Sequence, residues 1–270
     1  MGANHQKEIE FLSSICEPDF GYITNFGKAH LEGFGGVEGV IKGKSELYTF
    51  LEKNNKTAFI NPEDAIQVAK TKNINSIPFH NSLMFLEVNP FVKLSFNNVN
   101  IQSNLIGAYN FTNIAIACTI GDYFKVSNNE IKEAVENYVP DNNRSQIIEK
   151  KFNKIILDAY NANPSSMKVA LENFSLLKDD SKAVILGDMF ELGDDSLKEH
   201  QSIVNLLAEL NIHSIFLVGE IFYQTEKREN LYQSFDDLLI HLKNNPLKHQ
   251  SILIKGSRGM RLERLLDVIN

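Results

Sequence analysis

The chain has 270 residues, of which 43% are hydrophobic and 23% charged. This composition excludes collagen, coiled coils and disordered chains, and it is typical of about two globular domains. A net charge of −7 argues against nucleic acid as a partner, and two cysteines are too few for a disulfide framework. Because the sequence shows neither a membrane-spanning apolar stretch nor the pattern of a signal peptide, we expect a cytoplasmic protein.

Hydrophobic periodicity predicts helices and short strands in the first half of the chain. A capping box formed by Ser127 and Glu130 begins a helix that ends near Tyr138. Residues 76–104 alternate in short runs between Asn-rich turns, which predicts antiparallel strands. The other helices are predicted over residues 4–16, 37–51, 63–71 and 108–124, and the other strands over residues 20–24 and 57–61.

The second half of the chain alternates strand and helix regularly after VPDNNRS (139–145), a linker candidate rich in Pro, Asp and Asn. Unbroken apolar strands between helices indicate a parallel sheet covered on both faces. This half is therefore predicted to be a doubly wound α/β domain. Its strands are predicted over residues 154–158, 183–187, 214–219 and 251–256, and its helices over residues 164–177, 196–210, 235–244 and 258–269.

Charged residues stand at the ends of the predicted parallel strands, where open sheets bind their ligands. Asp158 ends the first of these strands, and Lys255 and Arg258 lie at the end of the last. Unlike charges at one sheet edge suit a polar ligand, so we favour a site over a structural role for these three residues. Asn163 and Pro164 instead match the N-cap and the first residue of a helix.

Lys44 lies on the apolar stripe of its own helix, seven residues after Val37 and four after Val40. A buried, unpaired ammonium is costly, so the stem extends to solvent, or the amine is paired or altered. Composition alone favours the stem reaching solvent. A neutral lysine can also react with carbon dioxide, and the resulting carbamate would suit a hard cation such as Mg²⁺.

Three further polar residues of the first half allow both a structural and a functional interpretation. His30 follows a strand in a Gly-rich loop, where it is either a solvated side chain or a group that reaches a metal or phosphate. Asn110 and Asn113 share one helix face. Buried amides need partners, so these two either bind a ligand or form a hydrogen bond in helix packing.

Six segments occur in order along essentially the whole chain: AHLEGFGGVEGVIKGKSELY (29–48), GAYNFTNIAIA (107–117), NNRSQ (142–146), DAYNANPSSM (158–167), GDMFELG (187–193) and KGSRGMRLE (255–263). Together they resemble the motifs of the Mur ligases. NANPSSM, GDMFELG and AHLEGFGG favour the branch that adds D-Ala-D-Ala to UDP-N-acetylmuramoyl-tripeptide. The implied fold is α/β: the rear part of a P-loop-type central domain, followed by a complete Rossmann-like doubly wound C-terminal domain.

The resemblance also implies roles for single residues. His30 and carbamylated Lys44 would bind Mg²⁺, and with Arg144 and Lys255 they form the implied catalytic set. Asn110 and Asn113 would lie near the adenine of ATP, where Tyr109 replaces the family's histidine, and Arg144 and Asp158 would also contact the nucleotide. The residues implied to bind or enclose the other substrates are Asn4 and His5 for the muramoyl peptide, and Asn161, Lys255, Ser257 and Arg258 for the dipeptide and phosphates.

The implied reaction belongs to peptidoglycan precursor synthesis. ATP converts a carboxylate into an acyl phosphate, which an amine then attacks to form an amide bond. No GxxxxGK[ST] phosphate loop occurs in the 270 residues, so we expect a partial central ATPase domain over residues 1–143 and a C-terminal domain over residues 144–270. Such a chain, expected to be a monomer, would be inactive alone. Two alternatives stay open: a non-catalytic truncated binding module, and a related ligase such as folylpolyglutamate synthase.

Overall fold

A computed structural model describes residues 1–28, 30–141, 143–179, 181–210, 212, 214–226 and 230–270. Two residues of the motifs above, Ala29 and Asn142, lie outside the described residues. The chain divides into two units, residues 1–138 and 139–270. Across the described ranges, we find no helix with the length and apolar character needed to cross a membrane.

The first unit contains two small sheets surrounded by helices. Strands β1, β2 and β3 form a parallel sheet in that order, and β4, β5 and β6 form an antiparallel sheet. The strands are β1 (Phe20–Gly21), β2 (Thr57–Ile60), β3 (Asn75–Pro78), β4 (Met84–Val88), β5 (Phe91–Phe96) and β6 (Val99–Ile106). The helices are α1 (Glu8–Cys16), α2 (Leu31–Phe34), α3 (Val37–Lys53), α4 (Ala65–Lys70), α5 (Asn110–Tyr123) and α6 (Asn128–Asn137).

Three predictions for the first unit were wrong in extent or pairing. Helix α1 begins at Glu8 and not at residue 4, because Lys7 has a left-handed conformation with φ 72°. Strand β1 ends at Gly21 and not at residue 24, since the Ile23 carbonyl accepts a hydrogen bond from the buried Gln67 amide. Strand β3 pairs with β2 in parallel and does not join the antiparallel strands. The capping box at the start of α6 is confirmed.

The second unit is built on one six-stranded sheet in the order β11-β10-β9-β12-β8-β7. Strand β12 lies between β8 and β9, and the sheet is parallel except at its β7 edge. All of β9 is buried, which agrees with a sheet covered on both faces. The strands are β7 (Gln146–Glu149), β8 (Asn153–Asp158), β9 (Lys182–Gly187), β10 (Ser214–Val218), β11 (Leu231–Tyr232) and β12 (Gln250–Lys255). The helices are α7 (Pro164–Ser175), α8 (Ser196–Glu209) and α9 (Phe235–Asn244).

The doubly wound architecture of this unit is confirmed, but its last predicted helix was wrong. Residues 258–269 form two short 3-10 turns, Arg258–Met260 and Leu262–Asp267, in place of one α-helix. Arg261 between them has a left-handed conformation with φ 49°. A left-handed residue interrupts the hydrogen-bond ladder of a right-handed helix, so no continuous helix can pass through it.

Helix α7 begins as predicted, with Asn163 as its N-cap and Pro164 at the first helical position. The Asn163 Oδ1 atom accepts the Ser166 N–H at 2.9 Å. We expect Asn163→Ala to lower the free energy of unfolding by about 1 kcal/mol, because that N–H loses its acceptor. Urea denaturation measures the change, and Asn163→Ser, which keeps an acceptor oxygen, is the control. Equal losses in both variants would contradict the capping role.

Candidate active site

At the carboxyl end of β12, Lys255 forms a buried ion pair with Asp158 at the end of β8. Its Nζ atom lies 2.5 Å from Asp158 Oδ2 and 3.2 Å from the Asn161 carbonyl oxygen. The other carboxylate oxygen of Asp158 accepts the Ser145 N–H at 3.1 Å. The two strands are adjacent and in register at this end. The structure thus brings Asp158, Lys255 and Asn161 together, as three of the predicted site residues.

Two more predicted site residues, Arg144 and Arg258, lie over the ring of Tyr160. The Arg144 Cζ atom is 3.8 Å from the ring centroid, and the Arg258 Cζ atom is 5.2 Å from it. Both arginines are exposed, so their charges can meet a ligand from solvent. An aromatic ring below a guanidinium restricts its orientation without neutralising it. Planar guanidinium groups of this kind recognise phosphates and carboxylates.

Ser257, predicted to receive substrate, is only 3% exposed and has a structural contact. Its Oγ atom accepts the Phe190 N–H at 2.9 Å, and its own N–H donates to the Asp188 carbonyl oxygen at 3.1 Å. The loops after β9 and β12 are therefore hydrogen-bonded to each other. Ser257 fixes the start of the turn that carries Arg258.

Asp188 and His200, which the sequence motifs did not single out, contact the loops beside the candidate site. The Asp188 carboxylate accepts the N–H groups of Ile221 and Phe222, both at 2.9 Å. Gly219 approaches that carboxylate so closely, with φ 134°, that an added Cβ would lie 2.2 Å from Asp188 Cγ. His200 comes from α8 and accepts the N–H of Met189, which lies just after the end of β9. The spacing of residues within a single motif could not have revealed it.

In the first unit, Asn4 and His5 pack against the Gly-rich loop that contains His30. A Cβ at Gly33 would lie 2.3 Å from the Asn4 carbonyl oxygen and 3.3 Å from His5 Nε2. Glu8 holds this segment by accepting the N–H groups of Asn4 and His5 at 2.6 and 3.0 Å. Asn4 and His5 thus lie against α2, the helix that His30 precedes, with glycine allowing the close approach.

Lys44 lies on α3, the helix against which α2 packs. The half-buried His30 is the N-cap residue of α2, and the ring of Phe34 in α2 lies beside Gly43, the residue before Lys44. The Lys44 Nζ atom donates to the Asn25 carbonyl oxygen at 2.8 Å. Burial lowers the pKa of the Lys44 amine. Of the alternatives considered for Lys44, the structure therefore favours a paired, partly desolvated amine.

Asn110 and Asn113 form a hydrogen-bonded series at the start of α5. The Asn110 Nδ2 group donates to the Ile106 carbonyl oxygen at 2.8 Å, and the Asn113 Nδ2 group donates to Asn110 Oδ1 at 2.8 Å. Asn110 is buried and Asn113 exposed. The packing role is therefore present in the structure, while the exposed amide of Asn113 can still reach a ligand.

The donor atoms near Lys44 suit a hard cation only if the lysine itself is modified. Among the described residues, no group of three or more His, Cys, Asp or Glu side chains could hold a metal ion. The Asn25 carbonyl oxygen and the Asn25 Oδ1 atom, 3.5 Å from Nζ, are hard oxygen donors. A carbamate on Lys44 would add the anionic oxygens that Mg²⁺ requires.

Comparison with known proteins agrees with the sequence motifs. The model of the Mur ligase middle domain matches residues 1–121, and that of the Mur ligase glutamate ligase domain matches residues 143–257. The UDP-N-acetylmuramoyl-tripeptide–D-alanyl-D-alanine ligase of Buchnera aphidicola subsp. Baizongia pistaciae is 32% identical, over 99% of this chain and 62% of that protein. The ligase of the same name from Bacillus subtilis is 30% identical, over 98% of this chain and 62% of that protein.

A crystal structure of MurF from Acinetobacter baumannii superposes with a TM-score of 0.84 at 28% identity, covering 99% of this chain and 63% of that one. The chain therefore spans slightly more than three fifths of the length of the relatives that it matches. Two successive domain models of one family cover most of the chain. The chain belongs to the Mur ligase family.

Proposed function

We propose that this chain supplies the rear part of the ATPase domain and the C-terminal domain of an ATP-dependent ligase that adds D-Ala-D-Ala to UDP-N-acetylmuramoyl-tripeptide. The observation that carries the proposal is the cationic edge of the second unit, where Lys255, Arg144 and Arg258 lie around Asp158 and Tyr160. Similarity to UDP-N-acetylmuramoyl-tripeptide–D-alanyl-D-alanine ligases over 98–99% of this chain supports it. Peptidoglycan precursor synthesis is the corresponding process.

The proposed reaction has two steps, and both involve anionic phosphate or carboxylate groups that a cationic sheet edge can bind. A carboxylate oxygen of the tripeptide attacks the γ-phosphorus of ATP and releases ADP, which leaves an acyl phosphate. The amine of D-Ala-D-Ala then attacks the acyl carbon, and inorganic phosphate and a proton leave as the amide forms. Arg144 and Arg258 would bind the phosphate oxygens or the carboxylate of the dipeptide. Lys255, held by Asp158, would keep the loop containing Asn161 in place for that substrate.

The first unit would contribute the metal and peptide contacts. We propose that His30 and a carbamate on Lys44 bind Mg²⁺, which when bound neutralises phosphate oxygens. Asn113, with Asn110 behind it, would contact the adenine, and Asn4 and His5 would line the muramoyl-peptide site. The lowered pKa of the Lys44 amine supports this assignment, because only a neutral amine reacts with carbon dioxide.

The proposal is tested with the complete product of the reading frame that encodes this chain, by measuring the inorganic phosphate that it releases from ATP. We expect release only when ATP, Mg²⁺, UDP-muramoyl-tripeptide and D-Ala-D-Ala are all present. Omission of each component in turn, and replacement of D-Ala-D-Ala by L-Ala-L-Ala, are the controls. Release that does not depend on the dipeptide would reject this ligase activity, and a panel containing glutamate and folates would then test the folylpolyglutamate synthase alternative.

The alternative of a non-catalytic binding module is tested with the 270-residue chain alone. Binding of D-Ala-D-Ala without phosphate release, when the complete product also fails to turn over, would favour that alternative. Turnover of ATP by the 270-residue chain would exclude it. The two measurements together separate a part of an enzyme from a protein that only binds.

A further inference from the structure

His200 is a fully buried histidine on α8 that the proposed reaction does not use. The Met189 N–H donates to its Nε2 atom at 3.0 Å. Since Nε2 accepts, the proton of the neutral ring is on Nδ1, which lies 2.7 Å from the Ser196 carbonyl oxygen and donates to it. Burial lowers the pKa of His200, in agreement with a neutral ring. Both ring nitrogens are therefore occupied by backbone groups.

His200 contacts the backbone at Met189, and this segment supports the turn that carries Arg258, a residue predicted to bind substrate. Met189 lies between Asp188 and Phe190, and both of these neighbours are hydrogen-bonded to Ser257. The Phe190 ring also lies beside Gly259, where an added Cβ would be 2.6 Å from a ring carbon. Residues 188–190 and 257–259 thus form one connected pair of loops, which we call the loop platform. Arg258 projects from this platform.

A catalytic role for His200 with Ser257 and Asp188 is excluded by their hydrogen bonds. The Ser257 hydroxyl oxygen accepts the Phe190 N–H, and both oxygens of Asp188 accept N–H groups of residues 221 and 222. Asp188 Oδ1 is 3.5 Å from His200 Nε2, the same nitrogen that already accepts the Met189 N–H. The histidine therefore cannot act as a base toward the serine in this arrangement.

We propose that His200 is a positioning residue, which fixes the Met189 peptide group and through it the loop platform that presents Arg258 to the anionic substrate. The proposal rests on the proposed function for the identity of that substrate. A neutral imidazole suits this role because it offers one acceptor and one donor on a rigid ring. An unpaired buried N–H at Met189 would otherwise be costly.

Two conservative variants separate the positioning contact from the helix contact. The side-chain oxygen of His200→Gln can accept the Met189 N–H, but the bond to Ser196 is lost. The amide of His200→Asn can donate to the Ser196 carbonyl oxygen, but the Met189 N–H is left without an acceptor. If His200 only supports α8, the asparagine variant should be the milder of the two.

Hydrogen exchange of the 270-residue chain gives a readout that does not depend on activity. We expect the amides of Met189, Phe190 and Ser257 to exchange about tenfold faster in His200→Asn and at nearly the wild-type rate in His200→Gln. The amides of Ile155 and Leu253, in the interior of the sheet, should be unchanged in both variants. Equal rates at the platform in the two variants, or faster exchange in the glutamine variant, would overturn the proposal.

Kinetics of the complete product then test the link to the substrate. His200→Asn should raise the KM for D-Ala-D-Ala or ATP about tenfold while kcat changes less, and His200→Gln should restore it. A fall in kcat alone, with KM unchanged, would overturn the proposal. If the wild-type protein shows no dipeptide-dependent phosphate release, the proposed function fails, whereas the exchange rates still decide whether His200 positions the platform.

Discussion

Replacement of Lys255 by methionine is expected to lower the free energy of unfolding by about 3 kcal/mol, because it leaves the Asp158 carboxylate without its cation. The Lys255 side chain is 2% exposed and that of Asp158 17% exposed, so water can only partly replace the lost partner. In this variant the Ser145 N–H still donates a hydrogen bond to Asp158 Oδ1, which stabilises only one of the two carboxylate oxygens. Urea denaturation at pH 7, followed by a probe in the second unit, measures the loss.

A double-mutant cycle distinguishes the ion pair from general packing. Asp158→Asn alone should also be destabilising, since it removes the anion and leaves the buried ammonium of Lys255 with neutral oxygen acceptors such as the Asn161 carbonyl. The double variant Lys255→Met, Asp158→Asn should lose less stability than the sum of the two single variants. If the three losses are additive to within about 0.5 kcal/mol, the pair contributes no coupling and this account of the site edge is wrong.

Replacement of Lys44 by alanine is expected to reduce turnover of the complete product at least about 100-fold, if a carbamate at this position binds the metal. Lys44→Arg is the matched control, because it keeps the positive charge and the long stem but cannot form a carbamate. Both variants should be inactive, and a small carboxylic acid should partly restore activity only to the alanine variant. Wild-type activity in Lys44→Arg would reject the carbamate.

The proposed carbamate can also be tested for directly in the 270-residue chain. With ¹³C-bicarbonate, the wild-type protein should give a carbamate carbon signal that is lost in Lys44→Arg. Burial lowers the pKa of Lys44, so the neutral amine is available at a lower pH than in an exposed lysine. The signal should therefore grow as the pH rises through that lowered pKa. A signal of equal intensity in the arginine variant would show that it comes from another amine.

Four parallel strands of the second unit, β8, β9, β10 and β12, could be predicted from the sequence to within one residue at each end. These strands are recognised by an unbroken run of apolar residues, which burial on both faces of the sheet requires. The run is visible in the local sequence, without knowledge of which strands pair. The two edge strands, β7 and β11, were missed because half-buried edge residues show weak periodicity. The break at Arg261 was missed as well. A single left-handed arginine, moreover, carries no composition signal.

The candidate site was predictable where charged residues end apolar strands, as Asp158 and Lys255 do. The contact between them follows from the register of β8 with β12, and topology alone supplies that register. His200 was not predictable, since it lies on the buried side of α8 with Ile203 and Val204 and its function depends on a loop that precedes the helix. The carbamate of Lys44 remains a prediction from family resemblance.

The position of β12 between β8 and β9 has a consequence for synthesis of the protein. As the chain leaves the ribosome, β7 and β8 emerge first and β9 to β11 follow, yet these two groups of strands are not neighbours in the sheet. They can be joined only after residues 250–255 become available. The cooperative folding of the second unit therefore awaits its last strand, and any premature stop before residue 250 leaves two separate half-sheets with open edges.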